Sequence, residues 1–118
     1  MKARAIRFCS VSAQSEELIR FFGEGLGLAT RAAGEHAAEG AVFPAGESWI
    51  EVWKEGPGMP AGTMLQIVVD DADSLAQQAR ANGLEPQGPM DAHGERIYHV
   101  LSPTGLPITF QSRLPDKD

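Results

Sequence analysis

The sequence repeats one pattern of elements, and this repetition constrains the fold more than any other feature. Val11 and Val69 each lead into a helical stretch, and they lie about 58 residues apart. Each copy then passes through a turn that contains Pro and Gly, 43–46 or 102–105, into a strand. Because repeated supersecondary units usually pack together, and clefts between such units often bind ligands, we expect function to lie between the two copies.

Capping residues and apolar spacing predict one helix in each copy. Ser15 is the predicted N-cap of the first helix, and Gly25 or Gly27 ends it. Asp71 or Asp73 is the predicted N-cap of the second helix. Apolar residues recur at helical spacing in both stretches: Leu18, Phe21, Phe22 and Leu26 in the first, and Leu75, Ala76 and Ala79 in the second.

Apolar and β-branched runs predict strands before and after each helix. They comprise residues 5–11, 28–33, 41–43, 49–53, 96–101 and 107–111. The segment 85–94 contains two Pro and two Gly residues and is predicted to be a loop. The prediction is an α+β fold of one domain, 1–118, with two tandem βαβββ modules at 1–55 and 63–113 and a Gly- and Pro-rich linker at 56–62.

Composition excludes several classes of partner. The chain has 118 residues, 42% of them hydrophobic, which suffices for one domain with a core. Its formal net charge is -6, so we predict no nucleic-acid partner. No apolar run is long enough to cross a membrane and no signal peptide follows Met1, which predicts a cytoplasmic protein with no membrane partner. The single cysteine, Cys9, lies in an apolar run and is predicted to be an inert core thiol.

Short motifs follow one another in a characteristic order from Ile6 to Gln111. They are Phe21-Phe22 followed by Leu26-Gly27-Leu28, then Val69-Asp70-Asp71, Gly94-Glu95-Arg96 and Pro103-Thr104-Gly105. In this order they resemble the vicinal oxygen chelate superfamily, which includes glyoxalases, bleomycin-resistance proteins, fosfomycin-resistance enzymes and extradiol dioxygenases. The resemblance implies that the curled mixed sheets of the two modules enclose a cavity, and that the protein is a homodimer.

The resemblance also implies four positions for metal ligands. They fall on Ile6 or Arg7, Glu51, Met64 and Thr109. Only a carboxylate among these suits an octahedral oxygen-and-nitrogen site, since an alkyl chain, a guanidinium, a thioether and a neutral hydroxyl do not. The three histidines lie elsewhere in the sequence, at His36, His93 and His99. We therefore predict no metal and no cofactor.

The strand around Glu51 supplies the candidate ligand site. Because side chains alternate along a strand, Trp49, Glu51 and Trp53 point one way, while Ile50 and Val52 point the other. Two indoles beside a carboxylate suit a flat or cationic ligand, through stacking, cation–π attraction and a charge-assisted hydrogen bond. The alternatives are that both tryptophans pack in a core or cover a dimer interface, and that the carboxylate is an exposed strand residue.

Further residues complete the predicted ligand-binding set. Met64 and Gln66 alternate onto the inward side of the third major strand. Arg7 is predicted to pair with the carboxylate, to hold a ligand anion or to lie exposed on its strand. Tyr98 and His99 point to opposite faces, so one of them is predicted to line the cavity.

Two functions of different classes follow from these residues. The preferred hypothesis is a metal-independent protein that sequesters a small aromatic or heterocyclic compound, as bleomycin-resistance proteins do. The alternative is an enzyme of the same superfamily, a lyase, isomerase or dioxygenase that acts on a small chelating substrate. In that case Glu51 would be a metal ligand or the general base.

Overall fold

The structure, a computed structural model, describes residues 1–32 and 40–115, and these residues have an α+β fold as predicted. A π-helical turn, Phe21–Gly25, continues the first helix. None of the helices in the described ranges is long and apolar enough to span a membrane. In chain order the elements are β1 (Ala3–Ser12), α1 (Ser15–Arg20), β2 (Arg31–Ala32), β3 (Gly40–Ala45), β4 (Ser48–Lys54), β5 (Gly62–Val69), α2 (Ala72–Ala81), β6 (Gln87–Ala92), β7 (Glu95–Leu101) and β8 (Pro107–Arg113).

The chain divides into two compact units. The N-terminal unit is Arg7–Met64, and the C-terminal unit is Met1–Ile6 with Leu65–Asp118. In the N-terminal unit the strands lie in the order β2-β3-β4-β1, with β1 parallel to β4 and the other pairs antiparallel. In the C-terminal unit the order is β5-β8-β7-β6, with β5 parallel to β8 and the other pairs antiparallel. The predicted linker 56–62 falls within the N-terminal unit.

Helix α1 covers one face of the N-terminal sheet. The side chains of Phe43 and Val52 beneath it are only 2% and 0% exposed. Burying a side chain of this size stabilises a fold by about 1.5–3 kcal/mol. The core cluster consists of Ala41, Phe43 and Val52, with Leu18, Ile19, Phe22 and Ile50 packed against it.

The N-cap of α1 is Gln14, so the prediction of Ser15 was wrong by one position. The Gln14 carbonyl already accepts a hydrogen bond from the backbone N–H of Leu18 at 3.1 Å, which closes the first helical turn. Ser15 is therefore inside the helix, where it is 2% exposed. The helical backbone ends with the π-helical turn at Gly25, one of the two predicted ends.

Helix α2 covers one face of the C-terminal sheet. Its N-cap is Asp71, one of the two predicted residues, whose side chain accepts hydrogen bonds from the backbone N–H and the hydroxyl of Ser74 at 3.1 and 2.8 Å. Small side chains at Ala72 and Ala76, both 0% exposed, let the helix approach the sheet closely. The core cluster is Val69, Ala72, Ala76, Tyr98 and Phe110.

The segment predicted to be a loop at 85–94 contains strand β6, which pairs with β7. Gly and Pro in this segment predicted a loop, but β6 is the last strand in the order of its unit, where Pro is tolerated. Gly88 is required there, because a Cβ atom at this position would lie 2.9 Å from the Ile97 carbonyl oxygen. The loop prediction was wrong because edge strands accept residues that central strands reject.

Candidate functional site

Two tryptophans on β4 bind the carboxylate that lies between them. Trp49 Nε1 donates a hydrogen bond to Oε2 of Glu51 at 2.5 Å, and Trp53 Nε1 donates to Oε1 at 2.9 Å. All three side chains are partly buried, on the face of the sheet opposite the α1-covered core. We call Trp49, Glu51 and Trp53 the indole clamp. One carboxylate thus fixes the orientation of two aromatic rings.

The indole clamp depends on a glycine in the neighbouring strand. Gly40 pairs with Trp53 in the antiparallel ladder of β3 and β4. A Cβ atom at Gly40 would lie 2.6 Å from the Val52 carbonyl oxygen and would also overlap the Trp53 ring. The absence of a side chain therefore lets the indole lie across β3.

Cys9 lies directly across from Glu51 in the parallel pairing of β1 with β4. Burial raises the pKa of the Cys9 thiol to about 12, and the charge of Glu51 and a hydrogen bond to it contribute further. The thiol therefore stays protonated near neutral pH beside the carboxylate that the two indoles bind. A buried, protonated thiol is a poor nucleophile, in agreement with the prediction of an inert core residue.

Two arginines stack on the ring of Trp49. The guanidinium carbon of Arg7 lies 4.0 Å from the ring centroid, and that of Arg31 lies 4.9 Å from it. Arg7 pairs with Trp49 in the β1–β4 register, whereas Arg31 comes from the short strand β2. Each cation–π contact of this kind contributes about 0.5–1 kcal/mol at exposed sites and more where water is excluded. Both guanidinium groups thus lie against the same indole ring of the clamp.

A row of polar side chains lies on the C-terminal sheet, on the face opposite α2. Thr109 donates a hydrogen bond to Oε1 of Gln111 at 2.6 Å, and Gln111 Nε2 donates to Gln66 at 3.2 Å and to Glu95 at 3.3 Å. Thr109 and Gln111 are only 4% and 3% exposed. His99 pairs with Thr109 across β7 and β8, so it shares this face, and its side chain is exposed. Two predicted ligand contacts, Gln66 and His99, therefore lie on this polar face.

Tyr98 and Met64 have different surroundings from the other predicted residues. Tyr98 is 4% exposed, its ring stacks on Phe110 with centroids 5.2 Å apart, and its hydroxyl donates to Asp73. It therefore belongs to the core beneath α2. That His99, on the opposite face, contacts a ligand stays a prediction. Met64 is partly buried in β5, two residues before Gln66.

Sequence comparison finds no family model and no curated protein that match this chain significantly. Solved structures do match it. A glyoxalase/bleomycin resistance protein/dioxygenase superfamily member from Vibrio splendidus 12B01 superposes with a TM-score of 0.67 at 15% identity, covering 94% of this chain and 99% of that chain. Methylmalonyl-CoA epimerase from Mycobacterium tuberculosis superposes with a TM-score of 0.68 at 14% identity, covering 96% of this chain and 88% of that one.

The chain has the vicinal oxygen chelate fold. A protein named as an NAD-dependent benzaldehyde dehydrogenase from Legionella pneumophila also superposes, with a TM-score of 0.69 at 12% identity, covering 92% of this chain and 99% of that chain. Proteins with different named functions therefore share this backbone. Since a fold does not determine a function, the function must be argued from the side chains.

The resemblance of the sequence to the vicinal oxygen chelate superfamily implied a metal site, but the residues at the four implied positions do not fit one. Arg7, and not Ile6, shares the face of Glu51, and a guanidinium cannot bind a cation. Both oxygens of Glu51 already accept indole hydrogen bonds, while Met64 offers only a thioether and Thr109 donates its hydroxyl proton to a neighbouring glutamine. Within residues 1–32 and 40–115, no group of three or more His, Cys, Asp or Glu side chains is placed to hold a metal. His36 lies outside these ranges.

Sequence reasoning missed residues that build the site from other strands. Three contributions depend on which strands pair and in what register, and a single sequence does not reveal this. They are the packing of Trp53 over Gly40, the contact of Arg31 with Trp49 and the placement of Cys9 beside Glu51. Gln111 carried a usable signal, because it alternates with Thr109 on a predicted strand and therefore shares its face.

Proposed function

We propose that the protein is a metal-independent small-molecule-binding protein that sequesters a planar aromatic or heterocyclic compound. The observation that carries this proposal is the pair of indole hydrogen bonds to Glu51. They hold two large aromatic side chains on the face of the N-terminal sheet opposite α1. Aromatic rings that are fixed before binding lose little conformational entropy when a ligand stacks on them.

The role of Glu51 in this proposal is to position the two indoles. A carboxylate has about four lone-pair directions, and each oxygen of Glu51 already accepts a hydrogen bond from an indole N–H group. The ligand would therefore meet ring surface, and not the carboxylate itself. This refines the expectation that Glu51 binds the ligand directly.

The fold is consistent with small-molecule binding. The superposed Vibrio splendidus protein is named as a member of a superfamily that includes bleomycin resistance proteins. We infer that the present chain binds a ligand without catalysing a reaction. The reason is that both carboxylate oxygens of Glu51, the candidate catalytic residue, already accept hydrogen bonds from Trp49 and Trp53. That the curled sheets enclose a cavity stays a prediction.

Intrinsic fluorescence tests this function directly, because both tryptophans of the chain belong to the indole clamp. We expect saturable quenching by at least one class of planar compounds in a panel of naphthalenes, quinolines and flavins. Trp53→Leu should weaken the binding by about tenfold, the effect of losing one stacked ring. Phe21→Leu, at an aromatic residue that is 55% exposed outside the clamp, is the matched control and should bind normally. Absence of saturable quenching across the panel would refute the proposal.

The alternative, a lyase, isomerase or dioxygenase-like enzyme, requires Glu51 as a metal ligand or general base. Either role needs a carboxylate oxygen that is available to a metal or a substrate proton. Elemental analysis of the purified, untagged protein tests it. Stoichiometric divalent metal that is lost in Glu51→Gln would replace the binding proposal with the enzymatic one, whereas trace metal that is unchanged in this variant supports binding.

We further propose that the protein is a homodimer, as the resemblance of its sequence to the vicinal oxygen chelate superfamily implies. Light scattering at micromolar concentration measures this. A mass of twice 12.6 kDa is expected. A mass of 12.6 kDa would refute the dimer and would leave the binding proposal unchanged.

A further inference from the structure

We propose that Asn82 is a self-modification site, which the C-terminal cap of helix α2 keeps closed and which deamidates when that cap opens. Asn82 is the single asparagine of the chain, Gly83 follows it, and both residues are exposed to solvent. An asparagine before a glycine is a reactive pair, because glycine has no side chain to hinder attack by its backbone nitrogen. The site lies outside the indole clamp, and this inference does not rest on the proposed function.

The reaction needs only the chain and water. The backbone nitrogen of Gly83 attacks Cγ of Asn82 and closes a cyclic imide, while the side-chain amide nitrogen leaves as ammonia with the proton of the Gly83 N–H group. Water then opens the imide at one of its two carbonyl carbons. The products are an aspartate at position 82 and an isoaspartate, whose backbone is longer by one methylene group. Either product adds one negative charge at the C-terminal end of α2, where the helix dipole disfavours it.

The hydrogen bonds of the helix cap engage the attacking group. Helix α2 ends in a Schellman motif, in which Leu84 N donates to the Ala79 carbonyl at 2.9 Å and Gly83 N donates to the Arg80 carbonyl at 3.1 Å. Gly83 has a φ of 89°, the left-handed conformation that this motif requires. The N–H group that must lose its proton in the reaction is therefore a hydrogen-bond donor within the cap.

The backbone conformation of Asn82 is the second obstacle to the reaction. Ring closure requires the Cβ atom of Asn82 and the Gly83 nitrogen to be eclipsed about the Cα–C bond. The ψ angle of Asn82 is 8°, so the Gly83 nitrogen is nearly eclipsed with the backbone nitrogen of Asn82 instead. Because Cα is tetrahedral, Cβ is then turned far from the attacking atom. Asn82 is thus exposed to water and at the same time held out of reach of Gly83.

The cap lies where local opening is expected. Residues 81–85, which comprise the end of α2 and the segment after it, are all exposed. Exposed helix ends open at a lower free energy than the buried core does. Beyond the cap, Arg80 Nη2 donates to the Pro86 carbonyl at 3.2 Å and ties the next segment to the helix. Breaking a few exposed hydrogen bonds would therefore free Gly83 N while the sheet stays folded.

Mass spectrometry of the full chain, incubated at mildly alkaline pH, measures the rate at Asn82. Trypsin releases residues 81–96 as one peptide, and fragmentation of this peptide distinguishes Asn82 from Gln87. We expect the urea-unfolded chain to deamidate at Asn82 at least about tenfold faster than the native chain, because only the unfolded chain lacks the cap.

Two variants separate opening of the cap from unfolding of the whole chain. Leu84→Pro removes the N–H group that binds the Ala79 carbonyl, and should raise the native-state rate about fivefold, the effect of losing one hydrogen bond. Gly40→Ala, which perturbs the N-terminal unit by overlap with Trp53, leaves the cap intact and should not change the rate. Each native rate is compared with that of the same variant unfolded in urea, which removes any effect of sequence on the chemistry.

Four results would overturn this inference. An unfolded chain that keeps its amide would show that Asn82 is not a modification site. A native chain that deamidates as fast as the unfolded one, or a Leu84→Pro variant with the wild-type rate, would show that the cap does not close the site. Equal acceleration in Gly40→Ala and Leu84→Pro would show that the reaction requires unfolding of the whole chain.

Discussion

Trp53 Nε1 donates a 2.9 Å hydrogen bond to Oε1 of Glu51, which lies two residues earlier on β4. The second oxygen of the carboxylate accepts a hydrogen bond from Trp49 in the same way. Glu51, the one carboxylate among the four metal-ligand positions that the family resemblance implied, therefore accepts hydrogen bonds from two aromatic rings. The same carboxylate that departs from the implied metal-binding pattern thus orients two aromatic rings.

Replacing Glu51 with Gln should loosen the indole clamp. The amide offers one oxygen and one NH₂ group, so one indole N–H would face another donor. We expect a loss of about 1–3 kcal/mol in the free energy of unfolding, the usual cost of an unsatisfied, partly buried polar group. Urea denaturation measures it. Glu47→Gln, an exposed residue in the turn between β3 and β4, is the matched control, and equal stability of the two variants would contradict the role assigned to Glu51.

A methyl group at position 40 should displace Trp53. Gly40→Ala places a Cβ atom in overlap with the indole ring, and such overpacking costs about 1–3 kcal/mol. We also expect the tryptophan emission to shift to longer wavelength as the ring moves toward water. Gly56→Ala is the control, because a Cβ atom there meets nothing within 4 Å. Unchanged emission and stability in Gly40→Ala would show that the ring does not lie across β3.

The stability of the fold should fall at alkaline pH because of Cys9. The pKa of its thiol is 9.0 in the ordinary case and about 12 in the folded chain, so only the unfolded chain ionises between these values. The stabilising contribution of the neutral thiol is complete below about pH 9 and is lost as the pH rises toward 12. Urea midpoints measured across this range should decline less steeply in Cys9→Ala than in the wild type. Parallel declines would contradict the assignment.

Reactivity of the same thiol provides an independent check. Cys9 is the single cysteine of the chain and is buried. A chromogenic disulfide reagent at neutral pH should therefore label the unfolded protein rapidly and the native protein slowly. Equally rapid labelling of both states would mean that the thiol beside Glu51 is accessible.

The contribution of Asp73 to the stability of the fold should disappear in acid. A hydrogen bond from Tyr98, and then one from Arg96, lower the pKa of Asp73 below its ordinary value of 3.8. A lowered pKa stabilises the fold above the ordinary value, and the effect is lost as the pH falls through the lowered pKa. Asp73→Asn should therefore melt earlier than the wild type near neutral pH, and the two melting temperatures should converge as the pH falls below 3.8 and through the lowered pKa. Asp70→Asn, which removes an exposed ion pair with Arg4, should change the melting temperature little.

Local periodicity accounts for the part of the site that the sequence predicted. Alternation along one strand placed Trp49, Glu51 and Trp53 on a single face, and the burial of Val52 on the other face agrees with it. Alternation also separated Tyr98 from His99. It could not say which of the two faces α2 covers, because that depends on tertiary packing.

Strand pairing accounts for most of what the sequence did not predict. The placement of Cys9 across from Glu51 and the packing of Trp53 over Gly40 are properties of register, which involves residues far apart in the chain. Arg31 lies on a strand of only two residues, too short for a periodic signal.

The most direct test of the account is the pair of indole N–H signals in a ¹⁵N-resolved NMR spectrum. The chain has two tryptophans, so every such signal reports on the indole clamp. We expect two signals shifted downfield by hydrogen bonding to Glu51, and both should move with one shared saturation curve as a planar compound that quenches the fluorescence is added. The account would be contradicted if both signals lay at the positions of water-exposed indoles and no planar compound moved them. That result would exclude both the hydrogen bonds of the indole clamp and the proposed ligand binding.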